Sequence, residues 1–299
     1  MNILSLFLIN MLYGMGFIIT KVALSTASPL FLIAFRMLIA SALLLGYQWF
    51  FNRNQFKVPR AYVLPLFAFG ILYMYLANAF EFWGLKTLTP TKVAFLYNLS
   101  PFIAALITAL YKKTRLTALQ WLGIGISFMG SSFLILADKN TYCLSFIILS
   151  CGELLLLAAI SASIIGSFVL QALIKDQQYS SLMTNGIGML IGGICALAHS
   201  LVVEPWNPVP VTDFYPFIGW ALLMILVYNI IAYELYNRLS RYYTITFLTL
   251  SWLTTPFFTA FFEYILLGTP ITNIFLIAYG IVFLGFYCFY YQEIQRKHL

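Results

Sequence analysis

The sequence predicts an all-α integral membrane protein with ten transmembrane helices arranged as two inverted five-helix repeats. Three observations predict it. Of 299 residues, 62% are hydrophobic and 8% are charged, against ~45–50% and ~25% in an average soluble domain. A surface with so few charges is one that lipid solvates. Apolar runs of spanning length follow one another through the chain, joined by short polar connections. The second half of the chain also repeats the first.

A helix crosses the hydrocarbon layer in ~20 mostly apolar residues. Runs of that kind fall at about 3–24, 30–51, 62–84, 90–111, 118–137, 144–173, 181–203, 215–237, 243–266 and 271–291. The sixth is over-long and carries Glu153. The first is too long for a signal-peptide core, lacks a basic leader and runs on to Lys21, so it is expected to remain as a helix. The longest polar stretches, Asn52 to Arg60 and Glu204 to Phe214, are too short to hold a core, so no soluble module is expected.

Charge gives the orientation. With a cytoplasmic N-terminus, the cytoplasmic connections carry Arg53, Lys57, Arg60, Lys112, Lys113, Arg115, Lys175, Arg238, Arg241, Arg296 and Lys297. The opposite side carries Lys86, Lys92 and Lys139. The positive-inside rule therefore puts both termini in the cytoplasm. The net charge of +7 and pI near 9.2 belong to these loops and imply no nucleic-acid partner. Cys143, Cys151, Cys195 and Cys288 form no CxxC pair, so neither a metal nor a disulfide framework is expected. The absence of long tails suits a bacterial inner membrane.

The repeat is carried by two Pro-to-Gly runs, PFIAALITALYKKTRLTALQWLGIGISFMG from Pro101 and PFFTAFFEYILLGTPITNIFLIAYGIVFLG from Pro256. At a constant offset of 155, Pro101 pairs with Pro256, Thr114 with Thr269, Thr117 with Thr272, Gly125 with Gly280 and Gly130 with Gly285. Upstream, Ala79-Phe80-Glu81-Phe82-Trp83 resembles Ala232-Tyr233-Glu234-Leu235-Tyr236 at an offset of 153, which makes Glu81 and Glu234 equivalent. Five helices per half is an odd number, so the halves, 1–140 and 141–299, are inverted relative to each other. Inverted repeats of this kind are a signature of secondary carriers, with the site near the midplane at the repeat interface.

With Tyr13-Gly14, Ser28-Pro29-Leu30 followed by Arg36, and the two Pro-to-Gly runs, nearly the whole chain resembles the drug/metabolite transporter superfamily, specifically its EamA-type ten-helix branch. That family usually has a glutamate in L-G-E-x-L-T after the fourth and ninth helices. Thr114 and Thr269 stand there instead, which weakens a close subfamily assignment. The resemblance implies a cavity lined by helices one, three, four, six, eight and nine. It implies a small organic metabolite as substrate, such as an amino acid or related zwitterion. Exchange of S-adenosylmethionine for S-adenosylhomocysteine is a second reading on the same plan. The chain is expected to act as a monomer or homodimer among membrane lipids.

Ionisable residues inside the hydrocarbon cost at least ~2.5–3.5 kcal/mol each on insertion scales, so each is a functional candidate. Lys21, Glu153 and Glu263 are assigned to the substrate pathway. Asn78, Tyr97, Asn98, Asn229, Tyr233 and Trp252 join them as polar or aromatic residues within apolar helices. Glu81 with Lys92, and Glu234 with Arg238 or Arg241, are read as symmetric gates. Arg36 is read as a structural pin, and Pro101 and Pro256 as paired kinks in the fourth and ninth helices. Structural pinning competes with gating for the glutamates, and snorkelling to the interface competes for Lys92 and Glu263.

Rival classes find little support. The chain has no HExxH or GxSxG motif, and its histidines are His199 and His298, so an enzyme is not expected. No Walker motif is present, so neither direct ATP drive nor another cofactor is expected. A channel or membrane scaffold is the remaining alternative, and an internal inverted repeat favours alternating access over either.

Overall fold

A computed structural model describes residues 3–53, 56, 58–112, 117–136, 150–174, 180–243 and 245–297. Lys57, Lys113, Thr114, Arg115, Lys139, Cys143, residues 144–149, Lys175 and His298 lie outside them. Ten helical rods follow in order. They are α1 (Ile3–Ala23), α2 (Pro29–Phe51), α3 (Arg60–Thr87), α4 (90–112), α5 (Ala118–Leu136), α6 (Cys151–Ile174), α7 (Ser181–Val203), α8 (Phe214–Tyr242), α9 (245–267) and α10 (Asn273–Lys297). Eight are long and apolar enough to cross a bilayer over their described length, and α5 and α10 contain shorter apolar stretches, Ala118–Gly130 and Asn273–Phe289. Large apolar side chains such as Phe50, Leu64, Leu110 and Val202 stand exposed on the outside of the bundle, as a lipid-facing surface requires.

The two halves correspond rod for rod. Residues of α2 map onto α7 at an offset of 152, from Pro29 and Ser181 at their starts to Phe51 and Val203 at their ends. From α4 and α9 onward the offset is 155. Each half breaks its third and fourth rods in the same way. A π-helical segment interrupts α3 at Gly70–Leu76 and α8 at Ile225–Ala232. A single 3-10 turn interrupts α4 at Tyr97–Leu99 and α9 at Trp252–Thr254, each ahead of its proline. Proline lacks the N–H that a continuous helix would donate four residues back. In α4 the Tyr97 carbonyl is taken by the Ser100 hydroxyl.

These breaks correct one expectation. Because the π segments and the following rods keep the 155 register, Glu81 corresponds to Tyr236 and Glu234 to Ala79. The two glutamates are not repeat-equivalent. The change of offset falls earlier, in the connections 52–59 and 204–213.

The halves are antiparallel. The end of α1 lies at the same end of the bundle as the start of α6, and α6 ends at the other. Residues lying on the pseudo-two-fold axis touch their own equivalents. Ser127 of α5 donates to the carbonyl of Val282 in α10 at 3.2 Å, and 127 and 282 are 155 apart. Across the same axis α2 and α7, themselves equivalents, pack along their length, with Ser41 donating to the Gly186 carbonyl at 2.7 Å.

Candidate functional site

A cavity opens where the π segments and the 3-10 turns face one another. It is lined by Tyr13 and Phe17 of α1, Tyr73, Ala77, Asn78 and Glu81 of α3, Tyr97 of α4, Ser163 of α6, Tyr228 and Tyr233 of α8, and Trp252 and Thr255 of α9. The space amounts to about 520 Å³ with its open side included. These are the six helices that the resemblance implied.

The cavity straddles the pseudo-two-fold axis. Tyr73 and Tyr228 are equivalents, as are Asn78 and Tyr233, and Tyr97 and Trp252. The Asn78 amide and the Tyr233 hydroxyl lie 3.4 Å apart. The Tyr97 and Trp252 rings meet edge to face at 6.0 Å. Further edge contacts tie Tyr13 to Tyr228 at 5.5 Å and to Trp252 at 5.9 Å, a favoured arrangement for aromatic quadrupoles. Two glycines bring the walls together. A Cβ on Gly16 of α1 would stand 2.5 Å from the Tyr228 ring, and one on Gly166 of α6 would stand 2.7 Å from Tyr73 Cβ. Each first helix thus packs closely on the π segment of the opposite repeat.

Two charged residues serve the cavity, both from the first repeat. Glu81 is buried and accepts a 2.5 Å hydrogen bond from the Tyr97 hydroxyl. Behind the wall Arg36 is fully buried. Its guanidinium donates to Asn229 Oδ1 at 2.9 Å and to Asn78 Oδ1, and lies over the rings of Phe82 at 5.0 Å and Tyr228 at 5.6 Å. A buried cation is costly unless the groups around it compensate its charge. Two amide oxygens and two ring faces offset that cost, and they join α2 to both α3 and α8.

The other sequence candidates fall elsewhere. Asn229 backs Arg36, and Asn98 is buried without a side-chain hydrogen-bond partner among the described residues. Lys21, Glu153 and Glu263 gather at the end of the bundle where α1 ends. Lys21 Nζ donates to the carbonyls of Leu85 at 2.5 Å, Lys86 at 3.2 Å and Leu88 at 3.0 Å, at the end of α3. Glu263 accepts from the Thr91 amide at 2.9 Å and its hydroxyl at 2.5 Å. Glu153 caps the start of α6 by accepting from the Ser150 amide at 2.7 Å, and pairs with Lys92 at 3.3 Å. The expected Glu81–Lys92 pair is therefore replaced by Lys92–Glu153, because Glu81 is turned into the cavity. The expected Glu234–Arg238 pair forms at 3.1 Å, and Glu234 also accepts from the Ser181 hydroxyl at 2.7 Å.

Sequence reasoning passed over Tyr73, Tyr228, Phe17, Ser163 and Thr255. The Tyr73–Tyr228 and Ala77–Ala232 identities at offset 155 were the available signal.

Comparison with known proteins agrees with this architecture. A model of the EamA-like transporter family matches residues 1–136 and 152–291. The S-adenosylmethionine/S-adenosylhomocysteine transporter of Chlamydia muridarum is 31% identical over 100% of this chain and 94% of its own length. The transporter of the same name from Chlamydia trachomatis serovar L2 is 30% identical over 100% and 92%. A crystal structure only 16% identical shares the fold, with a TM-score of 0.67 over 95% of this chain and 94% of that one.

Proposed function

This chain belongs to the EamA-like transporter family and is a multi-pass membrane transporter, and from that premise we propose that it is a secondary carrier exchanging S-adenosylmethionine for S-adenosylhomocysteine. The observation that carries the reading is the aromatic cavity on the pseudo-two-fold axis. An adenosyl group offers a flat ring for stacking against Trp252, Tyr97 or Tyr233. A sulfonium centre is a cation that ring faces attract, most strongly where water is excluded. The Thr255 hydroxyl, buried in the wall with no partner among the described residues, is free to meet a ribose hydroxyl or amino-acid group. Both cargoes are amino acids carrying the same nucleoside, which reconciles the zwitterion and adenosyl readings. The names of the chlamydial relatives favour the adenosyl one.

Access would alternate as the halves 1–140 and 141–299 rock about the cavity. In the bacterial inner membrane, with both termini cytoplasmic, the Lys21 end faces outward. The cross-repeat contacts of Glu263 and Lys92 then act as the outer latch. Glu81 is reassigned from gate to cavity.

Reconstituted protein tests the function. Liposomes preloaded with unlabelled S-adenosylhomocysteine are expected to accumulate labelled S-adenosylmethionine transiently and saturably, and the reverse loading should work as well. Counterflow of neutral or acidic amino acids with none of either adenosyl compound would replace this substrate with a simpler zwitterion. Linear, unsaturable flux would favour a channel.

A further inference from the structure

The two cargoes share every group except one. In S-adenosylmethionine the sulfur carries a third carbon and a positive charge, and in S-adenosylhomocysteine it is a neutral thioether. Ring faces attract the sulfonium and not the thioether, and a carboxylate beside the sulfur adds to that preference. The cavity holds one carboxylate, Glu81, and it lies on one wall only. Its equivalent in the second repeat is Tyr236, and that of Arg36 is Gly188, so neither charge has a counterpart across the axis.

The geometry of this asymmetric wall is specific. Glu81 lines the cavity, whereas Arg36 lies behind Asn78 and is fully buried. The cavity therefore faces the negative member of the two charges. Tyr97 holds the carboxylate in place by donating to Oε2. The opposite wall, with Tyr228, Tyr233 and Trp252, has no formal charge and offers ring faces and edges.

We propose that Glu81 is the specificity-determining residue that distinguishes sulfonium from thioether cargo, and that its position on the first-repeat wall holds the sulfur toward α3 and the adenine toward the second repeat. This rests on the adenosyl-exchange reading above. Tyr97 is a positioning residue, acting through the carboxylate. Because Glu81 and Trp252 belong to different rods and contact different parts of the cargo, their contributions separate by substrate. The sulfonium binds through both walls, whereas the thioether binds mainly through the aromatic wall.

The test compares KM for labelled S-adenosylmethionine and labelled S-adenosylhomocysteine in liposomes containing wild type, Glu81→Gln, Glu81→Asp or Trp252→Ala. Glu81→Gln is expected to raise KM for the sulfonium at least tenfold and to leave the thioether within about twofold. Glu81→Asp retains the charge and should retain most of the wild-type preference. Trp252→Ala should weaken both cargoes by a similar factor, since both carry adenine. Wild type that moves neither compound removes the substrate reading itself. Wild type that moves both, with Glu81→Gln altering the two KM values equally or not at all, leaves the substrate reading intact and overturns the role of Glu81. If the Gln variant does not fold, the Asp variant decides, since loss of preference with the charge retained also overturns the proposal.

Discussion

At one end of the bundle Lys21 of α1 donates to the carbonyls of Leu85 and Leu88, where α3 ends. At the other, Gln171 of α6 donates to the carbonyls of Ser240 at 3.1 Å and Tyr243 at 2.9 Å, where α8 ends. Residues 85 and 240, and 88 and 243, are repeat equivalents. The last carbonyls of a helix lack intrahelical donors, and each repeat supplies one from its own first helix. The chemistry differs, with an ammonium at one end and an amide at the other. The contacts between repeats differ more. At the Lys21 end Glu263 and Glu153 of the second repeat engage Thr91 and Lys92 of the first. At the Gln171 end the equivalents of Glu263 and Lys92 are Thr108 and Phe247, and Thr108 turns back to the Ala104 carbonyl of its own helix at 2.7 Å. Contacts within a repeat follow from backbone geometry and survive a change of side chain. Latches between repeats depend on charge, and among the described residues Glu263 and Glu153 supply it at the Lys21 end. The same backbone plan can thus hold its two ends with unequal strength.

Removing the Glu263 carboxylate should break this inequality most. It accepts two hydrogen bonds across the repeat interface, and bonds to a charged group contribute about 1.5–3 kcal/mol each. With the chain's four cysteines replaced and one cysteine placed at Ser163 in the cavity wall, Glu263→Ala should raise the rate of labelling by a membrane-impermeant thiol reagent from the Lys21 side about tenfold or more. Thr108→Ala, its counterpart, should leave labelling from the other side unchanged. Equal labelling in wild type and Glu263→Ala would reduce Glu263 to a cap on α4. A smaller change is expected from exchanging the clamps. Charge-assisted hydrogen bonds are roughly twice as strong as neutral ones, so Lys21→Gln should lower the thermal midpoint slightly. Gln171→Lys in the same chain should recover part of the loss. No recovery would mean that the ammonium at residue 21 acts through Glu263 or another carboxylate and not through the α3 carbonyls.

Hydropathy made the rods legible because each lipid-facing segment must be both long and apolar. The runs at 30–51, 90–111 and 181–203 differ from α2, α4 and α7 by at most one residue at either end. The matched prolines also made the inverted repeat legible. The π segments were not, since an i→i+5 register is selected by packing and has no local residue code. Without them, a two-residue error in alignment paired Glu81 with Glu234. Two residues turn an α-helix by about 200°, enough to move a side chain from the cavity to the opposite face. The inventory of intramembrane charges identified Lys21, Lys92, Glu153 and Glu263, but not their partners. Several of those partners are backbone carbonyls and amides at helix ends, which a list of side chains does not display.

The smallest effect should come from Arg238, a gate candidate at the Gln171 end. Arg238 pairs with Glu234 four residues earlier on the same helix, and its side chain is 62% exposed. An exposed i,i+4 pair contributes only about 0.3–0.5 kcal/mol, and this one joins a helix to itself, so it cannot hold two repeats together. Glu234 retains the Ser181 hydroxyl at 2.7 Å as a partner when Arg238 is removed. Arg238→Ala should therefore leave counterflow rate and cavity labelling from either side within about twofold of wild type. A tenfold increase in labelling from the Gln171 side would mean that Arg238 bridges the repeats in another state of the cycle, and that both ends are latched by charge after all.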